Sequence, residues 1–168
     1  RDGNLARALV DSLPGVYYLI GADGELLWWN RFLEEATGYA PGEIAAMRYE
    51  EFFTGRDRDR VVEAFRTVLQ AGEVTLEAQL VGRSGETRPY FFHSTRLSAG
   101  GNEFVTGLGL DISHQRRLED QLRLLATTDR LTGIANRFRC EEQLEIEMGK
   151  VRRYGRSFSL VLFDIDRF

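Results

Sequence analysis

Two histidines and one cysteine are the side chains of this 168-residue sequence best suited to soft metal binding or nucleophilic chemistry. His93 lies in the apolar segment PYFFHSTRL, where it could donate a hydrogen bond to a ligand or serve simply as a polar strand residue. His114 lies at the start of a charged segment and is expected to be inert. Cys140 stands alone, which excludes an internal disulfide and a cysteine-rich metal site and is compatible with a reducing compartment.

Aromatic side chains form a second group with the chemistry to bind a ligand. They make up 11% of the residues and are concentrated in the segments VYYLI, WWN and PYFF. Such rings can line a pocket for a planar molecule, or they can simply fill a core. Strand alternation must send about half of each run to the opposite face of a sheet. The candidate pocket residues are Tyr17, Trp28, Phe32, Tyr90, Phe92, His93 and Phe104, and the hydroxyls of Tyr17, Tyr18 and Tyr90 could orient a ligand together with His93.

The composition limits the classes of function. With 43% hydrophobic and 29% charged residues, the sequence is typical of a globular protein with a real core. The formal net charge of -4 is small and the signs are interspersed, so neither nucleic acid nor a membrane surface is an expected partner. The longest apolar runs are far shorter than the roughly 20 residues that span a bilayer. We expect a cytoplasmic segment cut from a longer protein, which could carry a membrane segment elsewhere.

The periodicity of the first 112 residues predicts an α+β domain with a five-stranded antiparallel sheet and helices on one face. Two apolar runs, Val16–Ile20 and Glu25–Trp29, flank the turn GADG and predict a β-hairpin. Asn30 is a candidate cap for the helix that follows it. Helices are predicted at residues 5–13, 30–37, 41–47 and 57–70. Three more strands, at residues 73–81, 86–97 and 103–112, predict an antiparallel meander.

Residues 113–126 contain no glycine or proline and predict a helix. Leu118, Leu122 and Leu125 recur at coiled-coil spacing. Little more than one heptad cannot dimerise alone, so an ordinary helix packed on a domain is the alternative interpretation. After the turn DRLTGIAN, a second amphipathic helix is predicted at residues 137–154. A buried strand is then predicted at residues 158–163.

Residues 1–112 resemble the PAS family. The hairpin, the helix that begins after an asparagine and the short motifs TGY and PGE follow one another in the family's order in the segment LPGVYYLIGADGELLWWNRFLEEATGYAPGEIAAM. The segment GLGLDISHQRR resembles the motif with which PAS domains pass into an output helix. The resemblance implies a sensory PAS fold around a small cavity, with the signal leaving through Asp111, Ile112 and Ser113.

PAS cavities hold haem, flavin or a small metabolite in some members and only side chains in others. A flavin photosensor of the LOV type needs a cysteine beside the flavin, and Cys140 lies outside residues 1–112. Haem needs an axial ligand, often a histidine on the long helix, and residues 57–70 contain none. Both cofactors are therefore disfavoured, and the expected occupant is a small organic ligand held by aromatic faces, or none.

The segment DRLTGIANR closely resembles the opening motif of GGDEF domains, the diguanylate cyclases, and SLVLFDIDRF resembles their first strand and metal loop. The resemblance implies that a homodimer condenses two GTP molecules into cyclic di-GMP and pyrophosphate with Mg²⁺. It assigns metal binding to Asp164 and the Ile165 carbonyl, and phosphate binding to backbone amides near Arg167 and Phe168. Asp164 could otherwise be a solvated turn residue, and Asp166 could be structural. The opening turn is assigned to Asp129, Leu131, Thr132, Asn136 and Arg137.

The catalytic set of that family is incomplete within residues 1–168. The GG-[DE]-[DE]-F hairpin is missing, so we expect no cyclic di-GMP from this chain itself, while the longer protein is expected to be an active cyclase. A PAS dimerisation or ligand-binding module joined to a degenerate, non-catalytic GGDEF receptor is the alternative. A phosphorelay kinase would require His114 as phosphoacceptor, but no kinase motif follows it. The predicted domains are residues 1–112 (PAS), 113–126 (signalling helix) and 127–168 (start of GGDEF).

Overall fold

The computed structural model describes residues 10–155, 157–161 and 163. The predicted metal and phosphate residues, Asp164, Ile165, Arg167 and Phe168, lie outside the described residues, as does most of the helix predicted at residues 5–13. The chain divides into two compact units, the first ending at Gln115 and the second beginning at Arg116.

Five antiparallel strands form the sheet of the first unit. They are β1 (Val16–Gly21), β2 (Leu26–Trp29), β3 (Glu73–Val81), β4 (Thr87–Ala99) and β5 (Asn102–Asp111). Their spatial order is β2-β1-β5-β4-β3, so β5, the last strand in the chain, lies at the centre between β1 and β4. The predicted five-stranded antiparallel sheet is confirmed.

Four helical segments connect β2 to β3. They are α1 (Arg31–Thr37), α2 (Pro41–Ile44), a 3-10 turn (Tyr49–Phe52) and α3 (Gly55–Ala71). The helix predicted at residues 41–47 is shorter in the structure and ends at Ile44. The Ala46 and Met47 amides bond to carbonyls three residues back, as in a 3-10 turn, so the α-helix does not continue. Val61 and Val68 of α3 are buried in the core with Ile44, Val16 and Val105.

The strand register decides which side chains face the helices. Tyr18 of β1 lies opposite Gly107 of β5, and Gly107 lies opposite Ser94 of β4. Directly opposed residues share a face, so these three residues lie side by side on the inner face of the sheet. Residues one position away, such as Tyr17 and His93, project from the outer face.

Asn30 precedes α1 as predicted, but its side chain does not cap the helix. It is only 1% exposed. Its oxygen accepts a hydrogen bond from the Tyr17 amide, and its nitrogen donates one to the Gly15 carbonyl, both at 2.9 Å. The side chain therefore fastens the start of β1 to the end of β2.

The second unit contains most of α4 (Ser113–Thr127) and all of α5 (Arg137–Tyr154). Both helices lie where the sequence predicts them. The strand predicted at residues 158–163 is not formed in the described residues 157–161 and 163. A strand needs a neighbour to pair with its backbone, and no described strand pairs with this segment.

Candidate functional site

A cavity of about 80 Å³ lies within the first unit, between the helices and the inner face of the sheet. The long helix α3 forms one wall and the strands form the other. Tyr49 stacks on Phe65 at 4.3 Å between ring centroids, which makes part of the wall aromatic. The remaining lining is almost wholly apolar and includes Val16, Ile20, Leu33, Phe52, Phe53, Val61, Val68, Leu76, Phe92 and Val105.

The cavity wall carries a pair of hydroxyl groups contributed by two strands. The Tyr18 hydroxyl and Ser94 Oγ are 2.8 Å apart, and the pair lies over Gly107 of the strand between them. Burial raises the pKa of Tyr18 to about 12, and the bond to Ser94 offsets part of that rise. Tyr18 is therefore a neutral phenol at physiological pH.

Gly107 makes this arrangement possible. A Cβ at that position would lie 2.7 Å from the Tyr18 hydroxyl oxygen and would also collide with the His93 carbonyl oxygen. The absence of a side chain lets the Tyr18 ring cross the middle of β5 and reach Ser94.

Most of the residues predicted to line a pocket lie outside this cavity. Of its seven members, only Phe92 lines the cavity. The outer face of the sheet carries Tyr17, Trp28, His93 and Phe104. Tyr90 is buried beside Phe92 and Phe32 packs against the core, but neither lines the cavity.

Most of the lining residues were not assigned to a pocket from the sequence, and Tyr49 and Ser94 are among them. Alternation does predict that Val16, Tyr18 and Ile20 share one face of β1. It does not say which face, because that depends on the register between β1 and β5. Ser94 carries no local signal, since its partner Tyr18 is 76 positions away in the sequence.

The residues predicted to carry the signal out of the domain form hydrogen bonds at the end of β5. The Ile112 amide bonds to the Pro89 carbonyl at 3.0 Å, which extends the pairing of β5 with β4 by one step. The Ser113 amide donates to Asp111 Oδ1 at 2.8 Å, at the first residue of α4. Asp111 thus forms an Asx turn at the start of α4, and the central strand passes directly into that helix.

In the second unit, the opening turn is organised around Asp129. Its Oδ1 accepts hydrogen bonds from the amides of Leu131 and Thr132 and from the Thr132 hydroxyl, at 3.1, 2.9 and 2.7 Å. These bonds hold the pKa of Asp129 below its ordinary value, and the bond from the Thr132 hydroxyl has the largest effect. The carboxylate therefore closes the turn, as an Asx turn does.

Asn136 ties the two helices of this unit together. Its Oδ1 accepts from the Arg139 amide at 3.0 Å, which caps α5, while its Nδ2 donates to the Ala126 carbonyl of α4 at 2.8 Å. The neighbouring Arg137 pairs with Glu141 on the exposed face of α5. The motif DRLTGIANR is thus a hydrogen-bonded joint between α4 and α5.

We expect the Asp129 turn to open in acid or on substitution of Asp129 by alanine. A lowered pKa means that the stabilisation by ionised Asp129 is present above its ordinary pKa of 3.8 and is lost as the pH falls through the lowered value. Hydrogen exchange monitored by NMR should show several-fold faster exchange of the Leu131 and Thr132 amides in Asp129→Ala. The matched exposed substitution Asp120→Ala should leave both amides unchanged. Equal exchange in the wild type and in both variants would contradict the role of Asp129.

The described part of the chain contains neither a membrane-spanning helix nor a cluster of metal-binding side chains. No helix there is long and apolar enough to cross a bilayer. Nor do three histidine, cysteine, aspartate or glutamate side chains come together there as a metal site.

A five-stranded antiparallel sheet, covered by helices around an internal cavity and continued from its central strand into a helix, defines a sensor domain of the PAS class. The family described as PAS fold matches residues 10–130, and the family described as diguanylate cyclase, GGDEF domain, matches residues 126–168. The chain belongs to the PAS fold family, and its PAS domain is followed by the start of a GGDEF domain.

Solved structures share the PAS fold at low sequence identity. A PAS domain from Colwellia psychrerythraea is 14% identical, with a TM-score of 0.61 over 68% of this chain and 99% of that one. The PAS domain of an HTR-like protein from Haloarcula marismortui is 21% identical, with a TM-score of 0.59 over 66% and 92%. At these identities the comparison establishes the fold alone.

One curated relative is cyclic di-GMP phosphodiesterase PdeR of Escherichia coli strain K12. It is 24% identical over 169 residues, which cover 98% of this chain and 25% of that protein. The chain thus spans about a quarter of the length of this relative.

Proposed function

We propose that the chain is the sensory part of a diguanylate cyclase, in which the state of the PAS cavity controls the synthesis of cyclic di-GMP from two GTP molecules. The observation that carries the proposal is the continuous path from the cavity to the GGDEF motif. Central strand β5 contributes Val105 to the cavity wall and runs through Asp111 into α4, and α4 ends at the joint built by Asp129 and Asn136.

The sequence resemblance supports a catalytic role for the metal loop of the longer protein. Carboxylate oxygens are the ligands that Mg²⁺ prefers beside phosphates, and Asp164 with the Ile165 carbonyl would hold the ion. When bound, the ion would neutralise triphosphate charge and activate the attacking ribose hydroxyl. Backbone amides near Arg167 and Phe168 would bind phosphate.

A second function is favoured by the curated relative. Because PdeR is described as a cyclic di-GMP phosphodiesterase, the GGDEF segment of the longer protein could be a non-catalytic nucleotide receptor that regulates hydrolysis instead of synthesis. The PAS domain would have the same sensory role in both cases.

Assays on the full-length protein distinguish these two functions. We expect cyclic di-GMP and pyrophosphate from GTP and Mg²⁺, and we expect Asp164→Asn to lower the rate by about 100-fold or more, because a neutral amide is a poor magnesium ligand. Chromatography of the products, with circular dichroism to verify folding, provides the measurement. Hydrolysis of cyclic di-GMP without synthesis would favour the receptor alternative, and near-normal synthesis by Asp164→Asn would remove Asp164 from the metal site.

We propose that α4 mediates a homodimer together with the PAS domain, because the reaction needs two GTP-bearing half-sites. Leu118, Leu122 and Leu125 are all exposed, so their apolar surface is free to be buried against a second copy. Leu122→Arg should shift the mass measured by light scattering at tens of micromolar from dimer towards monomer. Leu124→Arg is the matched control, since Leu124 is equally exposed but lies off the seam. A monomeric wild type, or equal behaviour of the two variants, would contradict the seam.

We further propose that the protein works in the cytoplasm and that the cavity takes a small organic ligand instead of haem or flavin. Clefts for drug-sized ligands measure roughly 300–1,000 Å³, and the cavity of about 80 Å³ is much smaller. An absorbance spectrum of the freshly purified protein tests this proposal. A Soret band or a flavin spectrum would contradict it.

A further inference from the structure

We propose that the cavity selects a small uncharged molecule with one hydroxyl or carbonyl group, which binds the Tyr18–Ser94 hydroxyl pair. The inference deepens the proposed sensory function, because it names the class of molecule that the cavity would detect. It rests on the hydrogen-bonding capacity of this pair, on the uncharged residues of the cavity wall and on the volume of the cavity.

The hydroxyl pair has unused hydrogen-bonding capacity. The bond between the Tyr18 hydroxyl and Ser94 Oγ uses one hydrogen and one lone pair. One further hydrogen and at least two lone pairs remain available. A ligand that accepts one hydrogen bond, such as a ketone, or that both accepts and donates, such as an alcohol, would satisfy the pair.

The cavity wall excludes ions. None of its residues is a lysine, arginine, histidine, aspartate or glutamate. A carboxylate or an ammonium group would lose its hydration there without gaining a counter-ion, and such burial is strongly unfavourable. Burial also keeps Tyr18 protonated, with a pKa of about 12, so the phenol does not supply a compensating charge.

The volume limits the size of the ligand. An engineered apolar cavity of about 150 Å³ holds benzene, so a cavity of about 80 Å³ holds a molecule of three or four heavy atoms. The bound hydroxyl or carbonyl would lie beside Gly107 at the centre of β5, the strand that continues into α4.

The experiment compares three molecules of four heavy atoms each by NMR titration of the 168-residue chain: 1-propanol, acetate and 1-propylamine at pH 7. We expect saturable shifts with 1-propanol at the amides of Tyr18, Ser94 and Gly107, and at least about tenfold weaker binding of the two ions. Tyr18→Phe should weaken 1-propanol binding by about tenfold, which is the loss of one buried hydrogen bond. Ser94→Ala should weaken it similarly, and Ala64→Leu should abolish it by filling the cavity.

Tyr17→Phe is the matched control, because it removes the same hydroxyl from the outer face of the same strand, and it should leave binding unchanged. Equal binding of the ions, unchanged affinity in both Tyr18→Phe and Ser94→Ala, or no saturable binding of 1-propanol would overturn the proposal. These results do not depend on nucleotide turnover. An error in the proposed class of ligand can therefore be distinguished from an error in the proposed synthesis of cyclic di-GMP.

Discussion

Substitution of Asn30 by alanine is expected to lower the free energy of unfolding of the first unit by about 3 kcal/mol, because it leaves two buried backbone groups unpaired. Asn30 is 1% exposed, and its side chain satisfies both the Tyr17 amide and the Gly15 carbonyl. Water cannot replace these bonds without opening the contact between β1 and β2. The truncation also leaves a small void in the core.

Urea unfolding followed by circular dichroism measures the loss, and the midpoint of thermal unfolding should fall by on the order of 15 °C. The control is Asn102→Ala, which removes the same side chain from an exposed position at the start of β5. A loss below about 1 kcal/mol in Asn30→Ala would mean that water or a relaxed backbone satisfies both groups.

A comparable loss, about 3 kcal/mol, is expected for Gly107→Ala, at the upper end of what overpacking costs. The new methyl group would lie 2.9 Å from Tyr18 Cζ and against the His93 carbonyl oxygen. The Tyr18 ring could move, but the carbonyl belongs to the backbone of β4. The β4–β5 pairing must therefore distort, and the Tyr18–Ser94 bond should break with it.

Gly42→Ala is the matched control, since Gly42 lies in α2 and has open space around the position of a Cβ. It should leave stability unchanged or raise it slightly, because alanine favours a helix. Chemical denaturation of both variants, with amide shifts of Ser94 and Gly107, provides the measurement. If Gly107→Ala were as stable as Gly42→Ala, the close approach of Tyr18 to β5 would be wrong.

Local physical chemistry made most of the first unit predictable. The GADG turn between two apolar runs specified the β1–β2 hairpin, and alternation with tight turns specified the β3–β4–β5 meander within two residues at each end. The helical periodicity of α3 was an equally clear signal. All of these features depend on residues close together in the sequence, where backbone preferences and side-chain period act directly.

The opening turn of the second unit could also be read from its residues. An aspartate followed by a threonine three positions later can close a turn, and an asparagine before a helix can cap it. The structure places Asp129 and Asn136 in these roles. It adds one feature that the sequence did not indicate, the bond from Asn136 to the Ala126 carbonyl that joins α4 to α5.

The sequence by itself determined the type, order and approximate limits of nearly every element, because these follow from local periodicity and turn chemistry. Only the tertiary structure decided the chemistry of the cavity. Tyr18, Gly107 and Ser94 come together through the register of three strands, and a shift of one residue would have turned Tyr17 and His93 inward instead. That register depends on how the whole core packs, and no local segment of the chain encodes it.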